Sequence, residues 1–153
     1  MARIRSAVVI DADAEVVWGL VTDWPQQTRW IPLTEVTIDR ASPSGTGLGT
    51  RFTGRTKLGP LGFDDPMEVT EWQPAAAGLP GRCRIRKLGP WLTGWAEIKV
   101  ERGAGGTRVE WVEQVRVRWL PRIADPVIAA VGSAFFGRVL RKMAAELARN
   151  RAG

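Results

Sequence analysis

The stretch from Asp125 to about Arg149 constrains the fold more than any other. Pro126 suits the first position of a helix, where no N–H is needed, and Asp125 before it can cap the free N–H groups. Val127, Val131, Phe135, Val139, Met143 and Leu147 then recur at four-residue intervals and predict one apolar stripe. Arg138, Arg141, Lys142 and Arg149 crowd the C-terminal half, where positive charge suits the helix dipole. A stripe this long needs a large apolar partner. The rest of the sequence supplies strands for it.

Ile4 to Ile10 alternates and predicts a first strand. Asp11 or Asp13 can cap a short helix carrying Val16, Val17, Leu20 and Val21, which Pro25 stops. A second short helix is expected from about Gln26 to Trp30. Strands follow almost without a break at Thr34–Asp39, Thr50–Thr56, Phe63–Trp72, Arg82–Leu88, Trp91–Glu101 and Thr107–Trp119, separated by turns rich in Gly and Pro. Hairpin-length connections mean an antiparallel meander, and strands kept apart from helices mean the α+β class. The expected architecture is a single domain over residues 1–153, a seven-stranded curved sheet wrapped on the C-terminal helix. In a meander alternate turns share an end, so Leu58–Gly62, Leu88–Trp91 and Trp119–Ala124 should form one rim.

Two residue types are missing, histidine and tyrosine, and Cys83 is the lone cysteine. A zinc site of His and Cys, and Ser-His or Cys-His catalysis, are thereby excluded. No internal disulfide can form, and neither metal nor cofactor is expected. Acid–base chemistry would fall to Asp, Glu, Lys or Arg. The net charge of +6 is mostly arginine, with lysine only at 57, 87, 99 and 142. These cations are scattered rather than clustered with aromatics, which argues against specific nucleic-acid binding. No stretch reads as a membrane span or a signal peptide, so a cytoplasmic monomer or weak homodimer is expected.

Val16-Val17-Trp18-Gly19-Leu20-Val21-Thr22-Asp23-Trp24, followed by Trp30-Ile31-Pro32, resembles the first-helix signature of the START-like, or SRPBCC, superfamily. The resemblance continues through Gly47-Leu48-Gly49-Thr50-Arg51-Phe52 and Met67 to Pro74, and it is closest to the polyketide cyclase/dehydrase branch. It implies a helix-grip around an internal cavity, and a role in binding lipids or polyketides, or in cyclising polyketide chains. Fold alone does not choose between these.

Alternation in the last strand puts Val109, Trp111, Glu113, Val115, Val117 and Trp119 on one face, taken as the inner one. In the strand before Gln73 it groups Met67, Val69 and Glu71. In the next it points Cys83, Ile85 and Lys87 inward, and Arg82, Arg84 and Arg86 outward. A buried carboxylate is costly unless paired, so Glu113 and Glu71 should carry partners or raised pKa values, with Lys87 a candidate partner. The plainer alternative is a structural pair near the rim, or a bulge that turns the side chain to water. Asp64-Asp65 reads as a turn at a strand start. The string Gly45 to Gly49 precedes a strand, not a helix, so it reads as a flexible turn rather than a phosphate cradle. Small residues Ala129, Ala130, Gly132, Ser133, Ala134 and Gly137 on the long helix would either leave cavity space or permit tight helix–sheet contact.

The leading expectation is therefore a binder of a hydrophobic small molecule in a cavity between sheet and helix. The residues expected to line it are Trp30, Phe52, Phe63, Met67, Val69, Ile85, Trp91, Trp95, Trp111, Glu113, Trp119, Val131, Phe135 and Val139. Trp91 and Trp119 should frame its mouth. The alternative is an aromatase/cyclase-like enzyme using Glu113 or Glu71. A charge-driven adaptor for a membrane surface or nucleic acid would differ from both in steep salt dependence.

Overall fold

The computed structural model describes the whole chain, Met1 to Gly153. In order it forms β1 (Ala2–Ile10), α1 (Ala14–Val21), a 3₁₀ turn (Trp24–Arg29), β2 (Thr34–Arg40), β3 (Arg51–Leu58) and β4 (Leu61–Gln73). Next come β5 (Gly81–Lys87), β6 (Leu92–Gly103), β7 (Gly106–Val117), a second 3₁₀ turn (Arg122–Ala124) and α2 (Asp125–Ala152). The strands make one seven-stranded antiparallel sheet in the order β1-β7-β6-β5-β4-β3-β2. The expected α+β helix-grip is what the chain adopts.

Antiparallel pairing puts the three expected turns at one end of the sheet. Leu58 pairs with Leu61 across the β3–β4 turn, and the Leu88 N–H donates to the Pro66 carbonyl at 2.8 Å. The Arg118 N–H donates to the Trp91 carbonyl at 3.0 Å, tying the β5–β6 and β7–α2 connections together. The start of α2 reaches the same end, because the Met1 ammonium pairs with Asp125 at 3.0 Å. Asp125 thus serves the N-terminus rather than capping its own helix, and Ala124 takes the cap position.

The four-residue stripe on α2 needs correction. Val139 and Met143 are buried, but Val127 and Val131 are 64% exposed. At 3.6 residues per turn a strict repeat of four drifts by about 40° each step, so its first members leave the face that its last members bury. The buried face of the first half runs instead through Ile128, Ala129 and Phe136, packed on Ala2, Ile4 and Val115. Gly132 lies against Ile4, and Ser6 Oγ donates to the Ser133 carbonyl at 2.7 Å. Gly132 and Ser133 therefore serve close contact between α2 and β1, Ala130 and Ala134 face solvent, and none of the small residues lines the cavity.

The segment Arg122–Ala152 also has the length and composition of a membrane span, with a window of mean hydropathy 1.5, contrary to the sequence expectation. Its packing on β1 and its buried Val139, Leu140 and Met143 make it the helix of the core.

On the inner face of the other half of the sheet, α1 and the 3₁₀ turn supply aromatic fill. Trp24 stacks on Phe52 with centroids 4.5 Å apart, and Trp18 meets Trp72 at 5.0 Å. One glycine is essential to the sheet. Gly94 in β6 has φ +127°, and a Cβ there would collide with the Gln114 carbonyl oxygen. Gly94→Ala is expected to cost about 2–3 kcal/mol of unfolding free energy. Gly19, exposed in α1 with nothing within 4 Å of its added Cβ, should gain about 0.5–1 kcal/mol as Ala. Urea unfolding of the two variants checks both signs.

Candidate functional site

A cavity of about 350 Å³ lies between the inner face of the sheet, Phe135 and Phe136 of α2, and the segment from Gln27 to Thr34. It exists because the residues that fill the concave side do so unevenly. The C-terminal half of α2 and the tryptophans of α1 and the 3₁₀ turn pack one part solidly. The end nearest the shared turns stays open, bordered by Leu33, Leu58 and Phe63, all exposed.

Seven residues expected from sequence stand on the cavity wall: Phe52, Phe63, Met67, Ile85, Trp111, Glu113 and Phe135. Trp111 is stacked on Phe136 at 5.0 Å, and Phe136 meets Phe135 edge-on. Val69 and Val139 are buried in the packed core beside the cavity instead. Trp30 is also buried away from it; its Nε1–H donates to Glu146 at 2.8 Å, which anchors the 3₁₀ turn to α2.

The remaining expectations are overturned. Trp95 lies on the outer face, where Arg84 covers its ring at 4.3 Å and its Nε1–H donates to Gln114. Its neighbours Ala96, Ile98 and Val100 occupy the inner face of β6, so alternation sends Trp95 outward. Trp91 and Trp119 are 55% and 69% exposed and, like Val131, do not line the cavity. Trp119 follows the end of β7 at Val117, where the chain turns toward α2 and leaves the inner face. Glu71 is likewise outside, half-exposed between Arg82 and Arg84. A bulge explains it: Val69 pairs with Ile85 and Glu71 with Arg84, so Thr70 is an extra residue that reverses the alternation. Trp72 then takes the inner side that Glu71 was expected to hold.

Three ionisable groups share the cavity wall: Asp65, Lys87 and Glu113. They come from β4, β5 and β7, and all are buried. Lys87 Nζ donates to Asp65 Oδ2 at 2.5 Å and makes a long contact, 3.9 Å, with Met67 Sδ. Glu113 Oε1 accepts from Trp111 Nε1 at 3.0 Å. Asp65 Oδ1 is buried without a hydrogen-bond partner. Asp65 was read from sequence as part of a turn. The signal was present, since Phe63, Asp65, Met67 and Val69 alternate onto one face.

Burial is the largest influence on Glu113 and pushes its carboxyl above the ordinary value of 4.5; Lys87 and the Trp111 N–H pull it down, and Asp65 pushes it further up. Burial opposes the Lys87 ammonium, but the Glu113 and Asp65 carboxylates more than offset it, so Lys87 stays protonated. Lys87 is therefore a fixed cation, not a nucleophile. Cys83, beneath the wall, has its thiol pushed up to about 12 by burial and by Glu71, and is inert.

The linkage for Glu113 has a definite sign. A carboxyl whose folded pKa is raised holds its proton more tightly in the folded state, so it favours folding most at low pH. That contribution is lost as pH rises from the unfolded value near 4.5 through the folded one. Glu113→Gln, which cannot ionise, should gain stability relative to the parent as pH is raised from 4.5 to neutrality. Denaturation at a series of pH values measures this; a constant difference would refute the raised carboxyl.

The family model for polyketide cyclase/dehydrase and lipid transport matches residues 1–150. No curated protein matches the chain. Among solved structures, a protein from Thermus thermophilus is similar with a TM-score of 0.76 at 15% identity, over 97% of this chain and 98% of that one. A START superfamily protein from Mycobacterium smegmatis has a TM-score of 0.76 at 14% identity, over 96% and 99%. The di-domain ARO/CYC StfQ from the steffimycin biosynthetic pathway has a TM-score of 0.73 at 13% identity, over 99% of this chain and 52% of that one. At such identities the structures speak for the fold, and the sequence match over nearly the whole length speaks for the family: this chain belongs to the polyketide cyclase/dehydrase and lipid transport family.

Proposed function

We propose that this protein binds an apolar small molecule, lipid or polyketide-like, in the cavity between the sheet and α2. The observation that carries this is the cavity itself, about 350 Å³ and walled by Phe52, Ile85, Trp111 and Phe135. Close-packed interiors leave few voids larger than a water molecule, and small-molecule sites begin at about 300 Å³. The wall has no histidine, tyrosine or thiolate to offer, so affinity would come from apolar burial at about 25 cal/mol per Å², less the ordering costs. The apolar border of Leu33, Leu58 and Phe63 gives such a molecule a compatible way in.

Native mass spectrometry and thermal melting against a panel of apolar compounds test this. A true ligand at a hundredfold excess over its Kd should add about 2.7 kcal/mol to the unfolding free energy. A panel of lipids and fused-ring aromatics that leaves the melt unmoved would end the reading.

Glu113 favours a second reading, an aromatase/cyclase-like enzyme. Burial raises the pKa of this carboxyl, and in its protonated form it can give its proton to a ketone oxygen as an enol carbon of the same chain attacks that carbonyl. The new carbon–carbon bond forms, the attacked ketone becomes a tertiary alcohol, the enol becomes a ketone as its proton leaves to solvent, and the Glu113 carboxylate takes a proton back from solvent. On this reading Glu113→Gln slows turnover of an enolisable polyketone by about 10²–10⁴-fold, while Glu71→Gln, on the outer face, changes nothing. Equal turnover by the Glu113 variant and the parent excludes it.

A further inference from the structure

We propose that Asp65, Lys87 and Glu113 together recognise a neutral hydroxyl, alcoholic or phenolic, carried by an otherwise apolar ligand. This deepens the binding reading above and rests on it. The three side chains are the ionisable part of the wall; its other polar side chains, Gln27, Thr34 and Thr56, already hydrogen-bond to protein groups.

The hydrogen bonds among the three ionisable groups are incomplete. Lys87 brings three N–H donors and gives one to a protein oxygen, Asp65 Oδ2. Asp65 Oδ1, on the same carboxylate, is buried and accepts nothing. Glu113 accepts at Oε1 from Trp111 and, when protonated, has an O–H still to donate. The site therefore holds an unmet acceptor beside unmet donors. Buried polar groups left in this condition are costly, and a group that satisfies both kinds at once gains most.

A hydroxyl is the smallest such group, because it donates one hydrogen bond and accepts others. An ether or ketone only accepts, and would leave Asp65 Oδ1 as it is. A carboxylate would bring a further negative charge to a pocket that already holds two carboxyl groups. An ammonium would face Lys87. Lys87 and Asp65 pair as opposite charges, and a charged guest would have to give up its hydration inside a largely apolar cavity, so the pocket favours an uncharged one.

Calorimetry on the full chain at neutral pH, with naphthalene, naphthol, methoxynaphthalene and naphthoate as probes, tests the assignment. Naphthol should bind about tenfold tighter than naphthalene or methoxynaphthalene, with naphthoate weakest. The double variant Asp65→Leu/Lys87→Met replaces the ion pair by apolar groups, an exchange that buried pairs often tolerate. In it the advantage of naphthol over naphthalene should disappear. Methoxynaphthalene matching naphthol, naphthoate binding tightest, or an advantage that survives the double substitution would each overturn the proposal. Naphthalene binding with no gain from the hydroxyl overturns it while leaving the cavity reading intact. Failure of all four probes removes both.

Discussion

A single helix cannot fill the concave side of a seven-stranded sheet. Six strand spacings of about 4.8 Å span roughly 29 Å, whereas a helix with its side chains is about 10–12 Å across. Everything else in this molecule follows from how that shortfall is handled. α2 lies close on β1, where Gly132 and Ser133 let the two backbones approach. The tryptophans of α1 and the 3₁₀ turn fill the space in front of β3 and β4. What neither reaches remains as the cavity.

The polar groups on the cavity wall are harder to justify on stability alone. Burying an ion pair seldom helps a fold more than well-packed apolar side chains of similar size would. Lys87 and Asp65 face each other from adjacent strands at 2.5 Å, but the second Asp65 oxygen gains no partner. Glu113 sits two strands beyond Lys87, close enough for each to move the other's proton affinity. Outer-face ion pairs such as Arg55–Asp64 and Arg86–Glu68 are ordinary by comparison; they are screened by solvent and carry little of the stability.

Local irregularities decide which residues join the cavity. Without the extra residue at Thr70, Glu71 would have been a fourth ionisable group inside and Trp72 would have pointed to water. Instead Trp72 completes the aromatic packing with Trp18, and Glu71 joins the arginines outside. At the other end, β7 stops at Val117, which releases Trp119 from the inner face that simple alternation had assigned it. Each is a one-residue event with a whole-side-chain consequence, because strand side chains alternate with period two.

The amino-acid sequence by itself determined the element order, the antiparallel meander, the inward set on β5 and β7, and the absence of histidine-based chemistry. These depend on periodicity, turn residues and composition, which are local properties of the chain. Only the tertiary structure decided that Trp95 and Glu71 face outward, that Val127 and Val131 are uncovered, and that Asp65 stands beside Lys87. A bulge leaves the residue types around it unchanged, and a helix face is defined only by what packs on it. Cavity volume is less local still: it is the difference between the space the sheet encloses and the side chains that enter it, and no segment carries that difference alone.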